Sequence, residues 1–168
     1  IKTISIHPFF FFLDRNFSDY LYLREDWIAL KGKRLQSKRN HLKRFLQNYE
    51  YEYKPYTDAY LNDCISLTKQ WMKENPDLNW DSMNNELQVI QFALNNLEQL
   101  GGCGGTLWVD CQLVAFSLGS SINEDTFVVH IEKANTSYEG IYVAMGNIFA
   151  QNLPDNYTFL NREDDMGL

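Results

Sequence analysis

Residues 126–162, TFVVHIEKANTSYEGIYVAMGNIFAQNLPDNYTFLNR, decide the fold. Thr126 to Lys133 opens as a continuous apolar run, which predicts a buried strand. Tyr138 to Gln151 then spaces Ile141, Ala144, Met145, Ile148 and Phe149 as one helical face. Asn152 to Asn156 contains Pro154 and predicts a turn, and Tyr157 to Arg162 predicts the next strand. Strand, helix, strand in that order implies a parallel pair joined by a right-handed crossover.

Upstream, Thr106–Val109 and Leu113–Gly119 flank Asp110-Cys111-Gln112 and read as a hairpin. Three helices are expected before it: Lys33–Tyr49, Asp58–Lys73, and one starting near Asp81-Ser82 and stopping at Gly101-Gly102. Tyr51–Tyr53 fits a short strand, and Gly101 to Gly105 a flexible helix-to-strand turn. Ile1–Leu13 and Phe17–Leu23 fit a hairpin around Asp14-Arg15-Asn16. The fold class is α/β (α+β), a mixed sheet with one βαβ crossover and flanking helices.

Composition narrows the classes. The chain has 168 residues, 45% hydrophobic, 22% charged and 15% aromatic, ordinary for a globular protein with a sizeable core. No apolar run approaches the roughly 20 residues that span a bilayer, and a cytoplasmic location is expected. Cys64, Cys103 and Cys111 match no zinc spacing and read as reduced thiols. Trp27, Trp71, Trp80 and Trp108 are scattered and read as core or rim. The net charge is −7, yet seven of the basic residues fall between Lys31 and Arg44 with no acidic residue among them. The remaining 8 basic and 22 acidic residues leave −14 elsewhere. An acidic body with one basic element suggests a local anion site rather than a general nucleic-acid surface.

Ligands of open α/β sheets gather beyond the carboxyl ends of parallel strands. Those ends hold His130, Glu132 and Lys133 on one strand, and Asn161, Arg162 and Glu163 on the other. Strict alternation puts His130 and Glu132 on one face and Lys133 on the other. An imidazole beside a carboxylate can move a proton, and Arg162 can clamp a carboxylate or phosphate. On the first long helix, Leu35, Leu42, Phe45, Leu46 and Tyr49 form the apolar stripe. Lys38 falls inside that stripe and Arg39 at its edge, so both are expected to face the interior or a pocket. A charged strand end with internal salt bridges, and cations paired with nearby carboxylates, are the structural alternatives.

Three stretches, YLREDWIALKGKRLQSKRNHLKRF (20–45), FVVHIEKANTSYEGIY (127–142) and FLNREDDMG (159–167), together resemble a bacterial family related to the C-terminal domain of phosphatidylglycerol lysyltransferases. The resemblance covers nearly the whole chain. It implies a GNAT-type fold, often two such domains in tandem, and relatives that move an aminoacyl group from a charged tRNA to a lipid head group without a metal. On that pattern residues 1–30 close an upstream domain or form a linker hairpin. Residues 31–168 are a GNAT-like domain truncated before a further basic helix. Acetyl-CoA-dependent members carry a loop of the form Q/R-x-x-G-x-G/A, whereas the matching Asn135 to Gly140 has a single glycine. No cofactor, acetyl-CoA included, is therefore expected.

The expected function is acyl transfer, with Glu132 and His130 as candidate catalytic groups and Lys38, Arg39, Lys133, Asn161, Arg162 and Glu163 as candidate substrate contacts. A non-catalytic anion-binding module, and an RNA-binding protein using the Lys31–Arg44 helix, remain open. Steep weakening by salt would mark the latter.

Overall fold

The computed structural model describes residues 19–75 and 80–162. All but the last residues of the hairpin expected over Ile1–Leu23, and Glu163, lie outside them. The elements are β1 (Leu21–Leu23), α1 (Arg24–Ala29), α2 (Gln36–Asn48), β2 (Tyr51–Pro55), α3 (Leu61–Glu74), α4 (Trp80–Asn96), β3 (Gly102–Val109), β4 (Gln112–Ser121), β5 (Thr126–Ala134), α5 (Ile141–Asn152) and β6 (Phe159–Asn161). Short 3₁₀ turns at Lys33–Leu35 and Asp58–Tyr60 lead into α2 and α3. The six described strands form one sheet of order β1-β6-β5-β4-β3-β2. Only β5 and β6 are parallel. The α/β mixed sheet read from the sequence, with its β5–α5–β6 crossover, is the architecture of this chain.

Period-2 alternation sorts the sheet into two cores. Leu107, Val109, Ala115, Phe127 and Ala134 pack against α5, α1 and α2. Phe116, Leu118 and Ile131 pack against α3 and α4 through Cys64, Leu67, Ile90 and Leu94. The apolar face of α5 is buried as its spacing predicts, from Ile141 through Phe149. The stripe of α2 is buried only at Phe45, because α2 lies outside α5; Leu46, expected inward, is 46% exposed.

One further expectation is corrected. Gly102–Gly105 is not a flexible turn but the first half of β3, with Gly105 paired to Pro55. A Cβ on Gly105 would lie 2.5 Å from the Tyr53 hydroxyl, so glycine lets that ring lie across the strand. Residues 19–30, part of the 1–30 stretch expected to close an upstream domain or form a linker hairpin, join this sheet. β1 pairs antiparallel with β6, and Trp27 and Leu30 are core residues.

α1 has six residues, too few to hold itself together. Two side chains fix it. Buried Arg24 donates to the carbonyls of Ala150 (2.8 Å), Leu153 (2.7 Å) and Pro154 (2.9 Å) at the end of α5. Asn147 on α5 donates to Trp27 O and Ile28 O, both at 2.9 Å. Carbonyls that the helix ends leave without partners are thereby satisfied across the contact.

Burial of Cys64 in the second core pushes its thiol from an ordinary value of 9.0 up to about 12. The unfolded thiol ionises near 9 while the folded one does not, so this stabilisation is complete below pH 9 and is lost as pH rises. The unfolding free energy in urea is expected to fall above pH 9. In Cys64→Ala that fall should be shallower by about 1.4 kcal/mol per pH unit between roughly 9.5 and 11. An unchanged slope would show that another group controls alkaline unfolding.

Candidate functional site

The site residues diverge because β5 carries one extra residue. Leu118 on β4 pairs with Ile131 on β5, but the neighbouring Gly119 pairs with Val129, leaving His130 bulged. A bulge re-aims the side chains that follow it. A Cβ on Gly119 would lie 2.1 Å from Val128 O and 2.4 Å from the Phe127 ring, so this crossing point of the two strands requires glycine.

The bulge parts His130 from Glu132. Glu132 lies opposite Ser117, whose Oγ donates to its Oε2 at 3.0 Å. His130 Nε2 lies 2.9 Å from Ser120 Oγ. Ser117 and Ser120 are three residues apart on a strand that alternates, so they face opposite sides. The expected His130–Glu132 pair is therefore not formed.

Glu132 meets Arg162 instead. Arg162 Nη2 donates to Glu132 Oε1 at 2.8 Å, and the two side chains are 24% and 10% exposed. β6 stays paired with β5 only as far as Asn161 opposite Val128. Beyond it Arg162 reaches across the opening to Glu132, as neighbouring parallel strand ends allow. The guanidinium lies 4.6 Å from the centre of the Trp27 ring. Lys38 Nζ lies 5.3 Å from the same centre, so the cation on the apolar stripe of α2 does face this site. Tyr22 packs on Trp27 with ring centres 5.0 Å apart. Among the described residues no carboxylate is within ion-pair distance of Lys38. Among the described residues Glu132 balances Arg162, and one positive charge remains.

Behind this group is a cavity of ≈ 10 Å³, lined by Trp27, Glu132, Gly146, Phe149, Leu160 and Arg162 among others. That holds about one water-sized atom. Tyr142 stands close by. Burial raises its phenol above the usual value, opposed by a hydrogen bond with Trp71 and reinforced by the charge of Glu132.

The other predicted contacts lie elsewhere. Lys133 faces the second core, where its Nζ meets Glu86 Oε1 at 2.6 Å and sits 3.6 Å from the centre of the Trp71 ring. Arg39 does face inward, but it donates to the carbonyls of Leu30 and Gly32, closing the turn after α1. Asn161 donates to Asp19 at 2.7 Å. Trp27, Ser117, Gly146 and Tyr142 are site residues that sequence reasoning missed. Their only signal was a tryptophan and a glycine within otherwise periodic helices.

The loop from Asn135 to Gly140 bears on cofactor binding. Ser137 N donates to Asn135 Oδ1, Tyr138 N to Asn135 O, Glu139 N to the Tyr49 hydroxyl and Ile141 N to Tyr138 O. Gly140 has φ +81°, and a Cβ there would lie 2.2 Å from His41 O on α2. Arg44 of α2 also pairs with Glu139. Among the described residues no group of three His, Cys, Asp or Glu could hold a metal ion, and no helix is long and apolar enough to cross a membrane.

The family model described as phosphatidylglycerol lysyltransferase, C-terminal, matches residues 3–165. The chain belongs to that family. A conserved protein of unknown function from Bacteroides thetaiotaomicron is 44% identical, with a TM-score of 0.85 over 92% of this chain and 53% of that one. An uncharacterised protein of Mycoplasmoides gallisepticum is 28% identical over 89% of this chain and 48% of its own length. The fold is shared with L-PGS from Bacillus licheniformis, at a TM-score of 0.59 and 15% identity over 90% of this chain and 49% of that one. The C-terminal domain of a putative lysylphosphatidylglycerol synthetase from Agrobacterium fabrum shares it too, at 0.59 and 12% over 88% and 46%. This member of the lysyltransferase C-terminal family thus spans about half the length of the relatives it matches.

The two ion pairs on β5 should respond differently to loss of the cation, because the cost is set by what is left behind. Arg162→Met leaves the enclosed Glu132 carboxylate unpaired and should cost roughly 3 kcal/mol in urea unfolding at pH 7. Lys133→Met leaves Glu86, which is 40% exposed, to water. The new thioether can pack on Trp71, so about 1 kcal/mol or less is expected. Equal costs would refute this asymmetry.

Proposed function

We propose that this chain is the acyl-transfer domain of a protein that moves an aminoacyl group from a charged tRNA to a lipid or other small acceptor. The observation that carries it is the Glu132 carboxylate, fixed between Ser117 and Arg162 beside Trp27, with the charge of Lys38 unbalanced among the described residues. The family description supports lysyl as the aminoacyl group and phosphatidylglycerol as the acceptor. Aminoacyl esters are already activated, so the reaction needs alignment, a proton acceptor and stabilisation of developing charge. Glu132 takes the proton of the attacking acceptor. Lys38 and Arg162 hold anionic parts of the substrates. Acetyl-CoA does not fit as donor: four amides of the Asn135–Gly140 region are bonded within the chain, and His41 O presses on Gly140, so no pyrophosphate cradle is offered.

One observation favours a second reading, a non-catalytic anion-binding module: the Glu132–Arg162 pair is closed and the cavity beside it is one atom in size. The two separate in an assay of labelled lysine moving from lysyl-tRNA to phosphatidylglycerol vesicles. Transfer should occur and fall about 10²-fold or more in Glu132→Gln, with vesicle binding retained. Unchanged turnover removes Glu132 as the base. Binding without turnover in the unaltered protein selects the module. Calorimetry should show no micromolar binding of acetyl-CoA, and tight binding with turnover would overturn that exclusion.

A further inference from the structure

We infer that the cavity between Trp27, Gly146 and Arg162 is an oxyanion hole: it receives the carbonyl oxygen of the donor ester, and Trp27 and Arg162 are the groups that donate to it. This rests on the acyl-transfer reading above and adds a catalytic role for Trp27.

The first observation is an unmet donor. Trp27 is 2% exposed, and its indole Nε1–H has no acceptor among the described residues. Buried indole N–H groups ordinarily have one. The ring edge next to that N–H faces Gly146, where Trp27 Cζ2 lies 3.3 Å from the point a Cβ would occupy. The same point is 2.8 Å from Arg162 Nη1 and 3.5 Å from Glu132 Oε2. An indole edge, a guanidinium nitrogen and a carboxylate oxygen converge there, and the space exists because residue 146 has no side chain.

The second observation is size. A cavity of ≈ 10 Å³ accepts one oxygen atom. It is too small for a phosphate or a cofactor, but a carbonyl oxygen becoming an alkoxide fits it. The third is charge. Arg162 Nη2 is engaged by Glu132, whereas Nη1 makes no hydrogen bond among the described residues. Lys38 and Arg162 both rest on the Trp27 indole and draw electron density from it, which strengthens its N–H as a donor. Donors fixed before charge develops are the most effective form of such stabilisation.

In the step, the acceptor hydroxyl or amine attacks the ester carbonyl carbon and forms a C–O or C–N bond. Its proton passes to Glu132, and the carbonyl π pair moves onto the oxygen held by Trp27 and Arg162. As that pair returns, the ester bond to the donor sugar breaks and Glu132 returns the proton to the leaving oxygen.

The test uses two variants and one spectrum on the full chain. Trp27→Phe keeps an aromatic ring for the cations and removes the N–H; kcat for lysyl transfer from lysyl-tRNA should fall about 10²-fold with KM within about threefold. Gly146→Ala puts a methyl group into the hole. Alanine is the better helix former, and the nearest obstruction is the end of a flexible arginine, so Tm should hold while kcat falls. In the unaltered protein, the indole proton resonance that disappears in Trp27→Phe should move downfield on saturation with a lysine phosphonate monoester, a stable mimic of the tetrahedral intermediate. It should not move in Gly146→Ala. Turnover by either variant within twofold of the unaltered protein overturns the hole and leaves acyl transfer intact. No turnover by the unaltered protein overturns acyl transfer, and the hole with it unless the indole proton responds to the phosphonate. An indole proton indifferent to the phosphonate overturns the hole and makes Trp27 a structural residue only.

Discussion

The bulge at His130 is the constraint on which the site depends. Without it, His130 and Glu132 would share a face and Val129 would face away from them. With it, Val129 and Glu132 both line the cavity under α5, while the His130 ring goes to Ser120. Lys133 then faces the other core. Past the bulge, alternation leaves the Glu132 carboxylate on one side of the sheet and the Lys133 ammonium on the other, each with its own partner. Gly119 is the matching requirement on β4, because no other residue lets the strands approach so closely there.

A second dependence runs through α1. Trp27 can serve the site only if its six-residue helix is held in place, and the holding groups come from more than a hundred residues away. Arg24 collects three carbonyls at the end of α5, and Asn147 returns two donors to α1. Arginine suits the first task because its planar fork offers several donors from one fixed charge. The same α5 supplies Gly146, so one helix both anchors Trp27 and leaves the space beside it.

Charge is arranged economically around this frame. Although the chain carries −7 overall, the basic residues of α2 divide their work. Arg39 closes a backbone turn, Arg44 pairs with Glu139, and Lys38 lies on the indole with no carboxylate beside it among the described residues. Among the described residues an excess positive charge therefore stands at one point of an acidic molecule, where it can attract an anionic group.

The sequence by itself determined most of the elements and their order, but not α1 or the first half of β3. The β5–α5–β6 crossover was legible because a continuous apolar run, a helical repeat and a proline turn are local patterns that burial enforces. The inward position of Lys38 and the meeting of Glu132 with Arg162 followed from periodicity and from parallel pairing. Tertiary structure alone decided the rest. His130 left the site because a bulge depends on the register of two strands, and strict alternation cannot reveal an extra residue. Arg39 left it because its partner, the Leu30 carbonyl, is brought near only by packing, and the same holds for Glu86, which meets Lys133 on the face that alternation had already given it. Trp27, Ser117 and Gly146 entered it for the same reason: an indole, a hydroxyl and a missing side chain acquire a role only when distant segments converge on one point.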